Sequence, residues 1–425
     1  MRDCLNKEVI LNLVKTSFLS FLATTIKIFS GLIINKAVAV FIGPSGLAVI
    51  GQFQNVLGIT QTIAKAGINS GVTKYTAEYH AQSDIRNSLW STSLKMTLVC
   101  SLLTGTVLII GSSYFSGYVF NTIQYRYVFI VFGFTLTLFS INQLLLSILN
   151  GLKEIKTFIS IDIIQSVYSL IFTTLLIVLF SLDGALIAMT TNQSIIFMIL
   201  LWKLKGHKII IFGNFKCCFN KIQSKKLLSY SLMALVSAFT VPVSLMIVRN
   251  YIGETQSWDI AGYWQAMTYI SSMYLMVVTI ALSTYYLPRL SEIKEKVELR
   301  EELKKGYVIL IPIVISLSTM IFLLKDFIIW LLFTDEFQAM RDFFKWQLIG
   351  DVFKISASLI AFLMLARAMT KMYILTEVAF SLSFTIFSLL FVDTLGGVGV
   401  TYAYALNSLL YFATMLVLMK KHVFD

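Results

Sequence analysis

The sequence predicts an all-α polytopic membrane protein, with twelve transmembrane helices in two six-helix bundles around a central cavity. Three observations carry this. Of the 425 residues, 57% are hydrophobic and 13% charged, with a mean hydropathy of +0.81. A soluble domain carries about 25% charged residues, and so few polar side chains would not cover a soluble surface. Apolar runs long enough to cross about 30 Å of hydrocarbon recur twelve times along the chain. The longest connection, 203–226, is strongly basic and falls between the sixth run and the seventh.

In chain order the runs lie near 11–41, 46–70, 88–111, 127–149, 157–180, 184–202, 227–248, 260–284, 306–333, 346–366, 370–392 and 397–419. They are far too long for barrel strands of about ten residues. Helices are the other way to satisfy every backbone polar group in lipid. Lys15 and Lys27 interrupt the first run and no small-residue cleavage site follows it, so this segment is expected to stay as a helix. With the N-terminus inside, the inner connections hold 23 Lys and Arg and the outer ones four, Arg126, Arg249, Arg341 and Lys345. That bias places both termini in the cytoplasm. The formal charge of +12 then reflects positive loops rather than a nucleic-acid partner. The predicted organisation is a first bundle over 1–205, a cytoplasmic linker over 206–226 and a second bundle over 227–425. A faint repeat supports the division: Phe41-Ile42-Gly43 precedes Gly51, Phe53 and Gln54, and Tyr251-Ile252-Gly253 precedes Gly262, Trp264 and Gln265. Such a repeat fits two bundles in parallel orientation.

With Lys371, at the very start of the eleventh run, counted in the connection before it, seven basic residues fall inside the runs: Lys15, Lys27, Lys36, Lys65, Lys95, Lys325 and Lys354. A lysine at mid-depth costs roughly 2.5–3.5 kcal/mol unless it faces water or a partner. Lys15, Lys36 and Lys325 lie near run ends and can snorkel; Lys27 and Lys65 lie deeper. At 100° per residue Thr16, Ser20, Lys27, Gly31 and Asn35 share one face of the first helix, and Asn55, Gly58, Thr62, Lys65 and Asn69 one face of the second. Further stripes are Asp162, Gln165, Ser169 and Thr173; Gln265, Thr268, Ser272, Thr279 and Ser283; Gln347, Asp351, Lys354 and Ser358; and Glu377, Ser381 and Ser388. Such stripes either glue helices together or line water, and mid-depth lysine favours water. The first two helices bring lysines and no carboxylate, which suits an anion such as phosphate.

The candidate substrate-binding residues are therefore Lys27, Lys65, Lys354, Asn55, Gln265, Trp264 and Gln347, and the candidate coupling or gating residues are Asp351, Asp162, Glu377 and Pro242. Asp351 and Lys354, three apart, either neutralise one another or serve gating. Trp264 and Trp346 either stack on a sugar or belong to an interfacial belt with Trp258 and Tyr263. Pro242 offers a bending point in the seventh helix. Cys4, Cys100, Cys217 and Cys218 have no metal or disulfide spacing, and His80, His207 and His422 are far apart. No catalytic triad, P-loop or dinucleotide fingerprint appears, so neither an enzyme nor a resident cofactor is expected.

Several strings resemble the Wzx family of bacterial lipid-linked oligosaccharide flippases, in the multidrug/oligosaccharidyl-lipid/polysaccharide exporter superfamily. They are Thr24–Gln54 (TTIKIFSGLIINKAVAVFIGPSGLAVIGQFQ), Gly67–His80 (GINSGVTKYTAEYH), Tyr230–Arg249, Ser257–Gln265 (SWDIAGYWQ), Tyr285–Ser291 (YYLPRLS) and Asp326–Lys354. The resemblance covers helices one, two and seven to ten, and is strongest to the enterobacterial branch that moves O-antigen units or the enterobacterial common antigen unit. It implies a bacterial inner-membrane protein that moves a short glycan on undecaprenyl pyrophosphate from the inner to the outer leaflet, by alternating access of two bundles. The implied partners are that lipid-linked oligosaccharide, membrane lipid, a polysaccharide polymerase and a chain-length regulator. Two other classes compete. A cation-coupled drug exporter would be expected to place carboxylates where helices one and two place lysines. A membrane glycosyltransferase would be expected to use sizeable outer loops, and the first one here is only Ile42-Gly43-Pro44-Ser45-Gly46.

Overall fold

The computed structural model describes residues 2–205, 211–282, 286, 289–290, 293, 295–367 and 369–423, with side chains described for all of these except 2–21, 212, 229, 230, 233, 281 and 421–423. The side chains of Cys4, Lys15, Thr16, Ser20 and His422, and residues His207 and Ser283, lie outside that set. The described chain is helical throughout. Its helices are α1 (Arg2–Phe41), α2 (Gly43–Ala64), α3 (Asn69–Glu78), α4 (Ser83–Ile110), α5 (Ser112–Phe120), α6 (Arg126–Gly151) and α7 (Ile155–Leu204), followed by a 3-10 turn at Phe212–Phe215. After it come α8 (Lys221–Thr255), α9 (Trp258–Ala281), α10 (Lys296–Leu323), α11 (Lys325–Leu332), a 3-10 turn at Asp335–Met340, α12 (Arg341–Ala366), α13 (Thr370–Leu395) and α14 (Gly399–Val423).

Among the described residues nine helices are long and apolar enough to cross a membrane. The expected second and eighth runs are helical as α2 and α9 but are not among the nine; these are two of the helices that carry polar stripes. The chain is a multi-pass membrane protein. Side chains such as Leu103, Ile110, Phe134, Ile171 and Trp330 are largely exposed, as lipid-facing surfaces require.

The 50 residues of α7 are two antiparallel helices. Ser181 interrupts them with φ 48° and ψ −123°. The Asn192 amide donates to Ser169 Oγ and the Lys203 ammonium to Ser160 Oγ, pairing residues nearly equidistant from Ser181. In one straight helix Ser160 and Lys203 would stand about 64 Å apart at 1.5 Å per residue. The turn is tight: a Cβ on Gly184 would lie 1.9 Å from the Leu176 carbonyl oxygen. The fifth and sixth expected runs are thus the two arms of this hairpin.

The same construction recurs 215 positions later. A Cβ on Gly399 would lie 2.1 Å from the Phe391 carbonyl oxygen, and Ser383 and Asn407 are hydrogen-bonded across the α13–α14 hairpin as Ser169 and Asn192 are across α7. The internal repeat, faint in sequence, is therefore carried by hairpin geometry in both halves of the chain.

The chain divides into two compact units, one of residues 1–41 and 56–238, the other of 42–55 and 239–425. The first has a core that includes Ile68, Leu89, Trp90, Leu144, Ile148 and Leu200. Within it α4 and α6 touch backbone to backbone, where a Cβ on Gly105 would lie 2.6 Å from the Gly133 carbonyl oxygen. The linker is strapped to α4: the Cys217 amide donates to Ser91 Oγ, the Asn220 amide to Thr92 Oγ1 and the Lys95 ammonium to the Cys217 carbonyl. Beside it the Lys226 ammonium donates to the Tyr79 hydroxyl at 2.7 Å, and that bond raises its pKa above the ordinary lysine value.

The second unit has a core that includes Leu282, Leu290, Val314, Leu359, Met364 and Met415. There the beginning of α2 packs against α9 at Gly262, where an added Cβ would stand 2.0 Å from the Pro44 carbonyl oxygen. Backbone gives way poorly, so Gly262→Ala is expected to cost at least about 1–3 kcal/mol of overpacking and to lower the unfolding temperature of the detergent-purified protein. An unchanged melting curve would contradict this packing.

Candidate functional site

Two polar clusters are built inside the second unit. The first centres on Asp351, which is 0% exposed on α12. Its two carboxylate oxygens accept from the hydroxyls of Tyr274 (α9) and Tyr404 (α14), each at 2.8 Å. Tyr274 also shares a hydrogen bond of 3.1 Å with Ser318 on α10. The close seat of Tyr404 depends on Gly350, where a Cβ would lie 2.4 Å from the tyrosine ring. Among the described residues Asp351 makes no ion pair, and the expected partner Lys354 is exposed, with its ammonium 5.5 Å from the Tyr404 ring centroid. Of the two alternatives their spacing left open, neutralisation or gating, a direct ion pair is not made among the described residues. Asp351 lies in the packed interior where two phenols reach it, while the longer lysine lies over the face of one of them.

The second cluster centres on Arg249, which is 2% exposed. Counted in sequence as an outer-loop charge, it is instead inside α8 and buried. Its Nη1 donates to Gln52 Oε1 at 3.1 Å and its Nη2 to Gln265 Oε1, and the guanidinium carbon lies 5.5 Å from the Trp264 ring. Gln52 is oriented by donating its own amide to Asn250 Oδ1 at 2.9 Å and to the Met246 carbonyl at 3.4 Å. Gln265 and Trp264, expected to meet a glycan, are buried around this arginine at 8% and 2% exposure. The Arg249 Nε has no hydrogen-bond partner. Gln347 is buried with its Oε1 unpartnered, and the Asn55 Nδ2 is likewise buried without an acceptor.

The remaining candidates are not gathered by direct bonds. Lys27 is exposed on α1. Lys65, just past α2, is half-buried with its ammonium 5.5 Å from the Phe139 ring centroid. Asp162 on α7 and Glu377 on α13 are half-buried. The charge of Lys354 acts on both Asp351 and Glu377. Pro242 lies inside α8, where it lacks the N–H that would bond the Ala238 carbonyl; the two units divide directly after Ala238.

Sequence reasoning missed Arg249, Gln52, Tyr274 and Tyr404. The repeat aligned Gln54 with Gln265, but Gln54 is exposed and Gln52 is the buried residue. The one sequence feature beside them is the glycine at position 51, where in the structure an added Cβ would lie 2.4 Å from the Gln265 side chain.

This architecture is the fold of the MOP superfamily of transporters. An inward-facing MATE family multidrug resistance transporter matches with a TM-score of 0.78 at 12% identity, over 93% of this chain and 94% of that one. A MOP superfamily transporter from Pyrococcus furiosus matches with a TM-score of 0.72 at 14% identity, over 94% and 95%. Residues 13–294 match the family model described as polysaccharide biosynthesis protein. The chain belongs to that family. It is also 30% identical over 403 residues to the lipid III flippase of Escherichia coli K12, covering 95% of this chain and 97% of that protein, and to that of Shigella flexneri with the same figures.

Proposed function

We propose that this protein is a flippase that moves undecaprenyl-pyrophosphate-linked oligosaccharide units of the O-antigen type from the cytoplasmic to the periplasmic leaflet of the inner membrane, by alternating access. The observation that carries this reading is the full-length similarity to lipid III flippases, which makes a lipid-linked unit the favoured cargo. The chemistry agrees. A pyrophosphate needs cations to cross apolar depth, and Lys27, Lys65 and Lys354 supply them; a glycan needs polar walls, which Asn55 and Gln347 offer; the polyprenyl tail stays in lipid. Under this reading the chain spans the membrane twelve times as two sets of six, 1–205 and 227–425 joined by 206–226, with both termini cytoplasmic. Pro242 bends α8, and Asp351, Asp162 and Glu377 serve coupling or gating. A polysaccharide polymerase and a chain-length regulator are its assembly partners. A second reading, an enterobacterial common antigen unit as cargo, keeps the same mechanism.

The test is flipping of a fluorescent undecaprenyl-pyrophosphate glycan by purified protein in liposomes. Protection of the glycan from an added reagent should change with time in protein-containing vesicles and not in empty ones. Equal rates in both would reject the function. The chain has no nucleotide-binding motif, so an ion or proton gradient is expected to drive net movement. Collapsing membrane potential and pH gradient together should abolish accumulation, and uphill movement with ATP alone would overturn that expectation.

A further inference from the structure

Arg249 is held in an unusual way for a buried cation. Among the described residues it makes no ion pair, and its hydrogen-bond acceptors are the neutral side-chain oxygens of Gln52 and Gln265. Removing a guanidinium from water without a counter-charge is costly, and breaking or making its few bonds has large consequences in a dry site. The three residues come from α2, α8 and α9. Gln52 lies in the short stretch 42–55 that belongs to the second unit, whereas α2 from Val56 onward belongs to the first. The same stretch meets α9 at Gly262 and at Gly51, where added Cβ atoms would strike Pro44 and Gln265. Packing brings these helices together, and the arginine joins them with hydrogen bonds.

We propose that Gln52, Arg249 and Gln265 form a reversible latch that holds the first half of α2 onto α8 and α9, and that the latch opens during the transport cycle. The choice of amides is what makes it reversible. A glutamate at position 52 or 265 would meet Arg249 with a charge-assisted, two-pronged bond and hold the helix shut. Neutral amides satisfy two of the guanidinium nitrogens and leave Nε unpaired, so the closed state lacks both a counter-charge and one hydrogen bond. Arg249 is thus a positioning residue, which governs where α2 sits rather than touching the cargo. The cycle in which it opens rests on the flippase reading; the latch itself does not.

The experiment uses full-length protein with Cys4, Cys100, Cys217 and Cys218 replaced by serine and a reporter cysteine at Ala48, which is 0% exposed on the latched stretch of α2. Reaction with a water-soluble maleimide in detergent reports opening and needs no substrate. Arg249→Gln should speed labelling by about tenfold or more, because local opening sets the reactivity of a buried site. Gln265→Glu should slow labelling by a similar factor and depress liposome flipping while leaving the protein folded. Unchanged labelling in Arg249→Gln overturns the latch. Should that variant fail to fold, Gln265→Glu decides alone: labelling and flipping at the parental rate reject the proposal. Slowed labelling in a protein that flips nothing even before the Gln265→Glu change would reject the flippase reading and leave the latch standing.

Discussion

Replacing Lys27 by alanine is expected to abolish export of the lipid-linked glycan while the protein stays in the membrane at normal abundance. Lys27 is exposed on an α1 segment, Leu22–Phe41, that is apolar enough to cross the bilayer. A lysine at that depth is tolerated when it faces water or an anion rather than lipid. Its helix neighbours on that face include Asn35, which is buried with its Nδ2 unpartnered, so this side of α1 is polar beyond the lysine itself. A charged hydrogen bond to phosphate is worth about 1.5–3 kcal/mol, which converts to a loss of roughly tenfold to a hundredfold in affinity. Lys27→Arg should keep part of the activity, because the charge survives while the point-like ammonium becomes a planar fork. Cysteine placed at 27 should react with a water-soluble thiol reagent and be protected by the lipid-linked glycan. Normal export by Lys27→Ala, measured with a quantified membrane fraction, would remove this lysine from the substrate path.

The contrast between Lys27 and Arg249 shows what a single sequence makes legible. Helix positions followed from apolar run length, so α1, α4, α6 and the later helices lie where the runs lie. The hairpin at Ser181 was legible too, because two runs met there with too few residues between them for anything but a tight turn. Lysine stripes follow from helical periodicity, which is a local property. Arg249 escaped because its meaning is tertiary: it stands where an apolar run was expected to end, and nothing local tells a loop arginine from one that α2 and α9 cover. Asp351 was found from its depth in an apolar helix. Its partners were not, since Tyr274 and Tyr404 are 77 and 53 residues away, and an aromatic residue in a transmembrane helix carries no sign of whether its hydroxyl is used. The i,i+3 rule pointed to Lys354 because that rule describes exposed helix surfaces, whereas Asp351 is enclosed.

Asp351→Asn is expected to preserve folding and binding of the lipid-linked glycan while slowing export by more than about tenfold, the factor that 1.4 kcal/mol represents. The asparagine has nearly the same shape. One phenol still finds a carbonyl acceptor, and the other must turn so that its oxygen accepts from the new amide, a rearrangement worth about 1–3 kcal/mol of stability. What disappears is a titratable carboxyl group whose two oxygens accept from phenols on different elements, α9 and α14. Tyr404 links this carboxylate to Lys354: its hydroxyl donates to Asp351 and its ring face lies 5.5 Å from the lysine ammonium. A change of charge at Asp351, or arrival of an anion at Lys354, therefore acts on the same side chain, which gives ion coupling and cargo a shared element to bias. Tyr404→Phe keeps the ring and removes the hydrogen bond, so it should slow export less than Asp351→Asn does. The double variant should be no slower than Asp351→Asn alone, because both changes break one bond. If Asp351 were only a structural counter-charge for Lys354, the outcome would differ: Asp351→Asn would misfold, and exchanging Asp351 with Lys354 would restore export. Full export by Asp351→Asn, or full rescue by that exchange, would refute a coupling role carried through Tyr404.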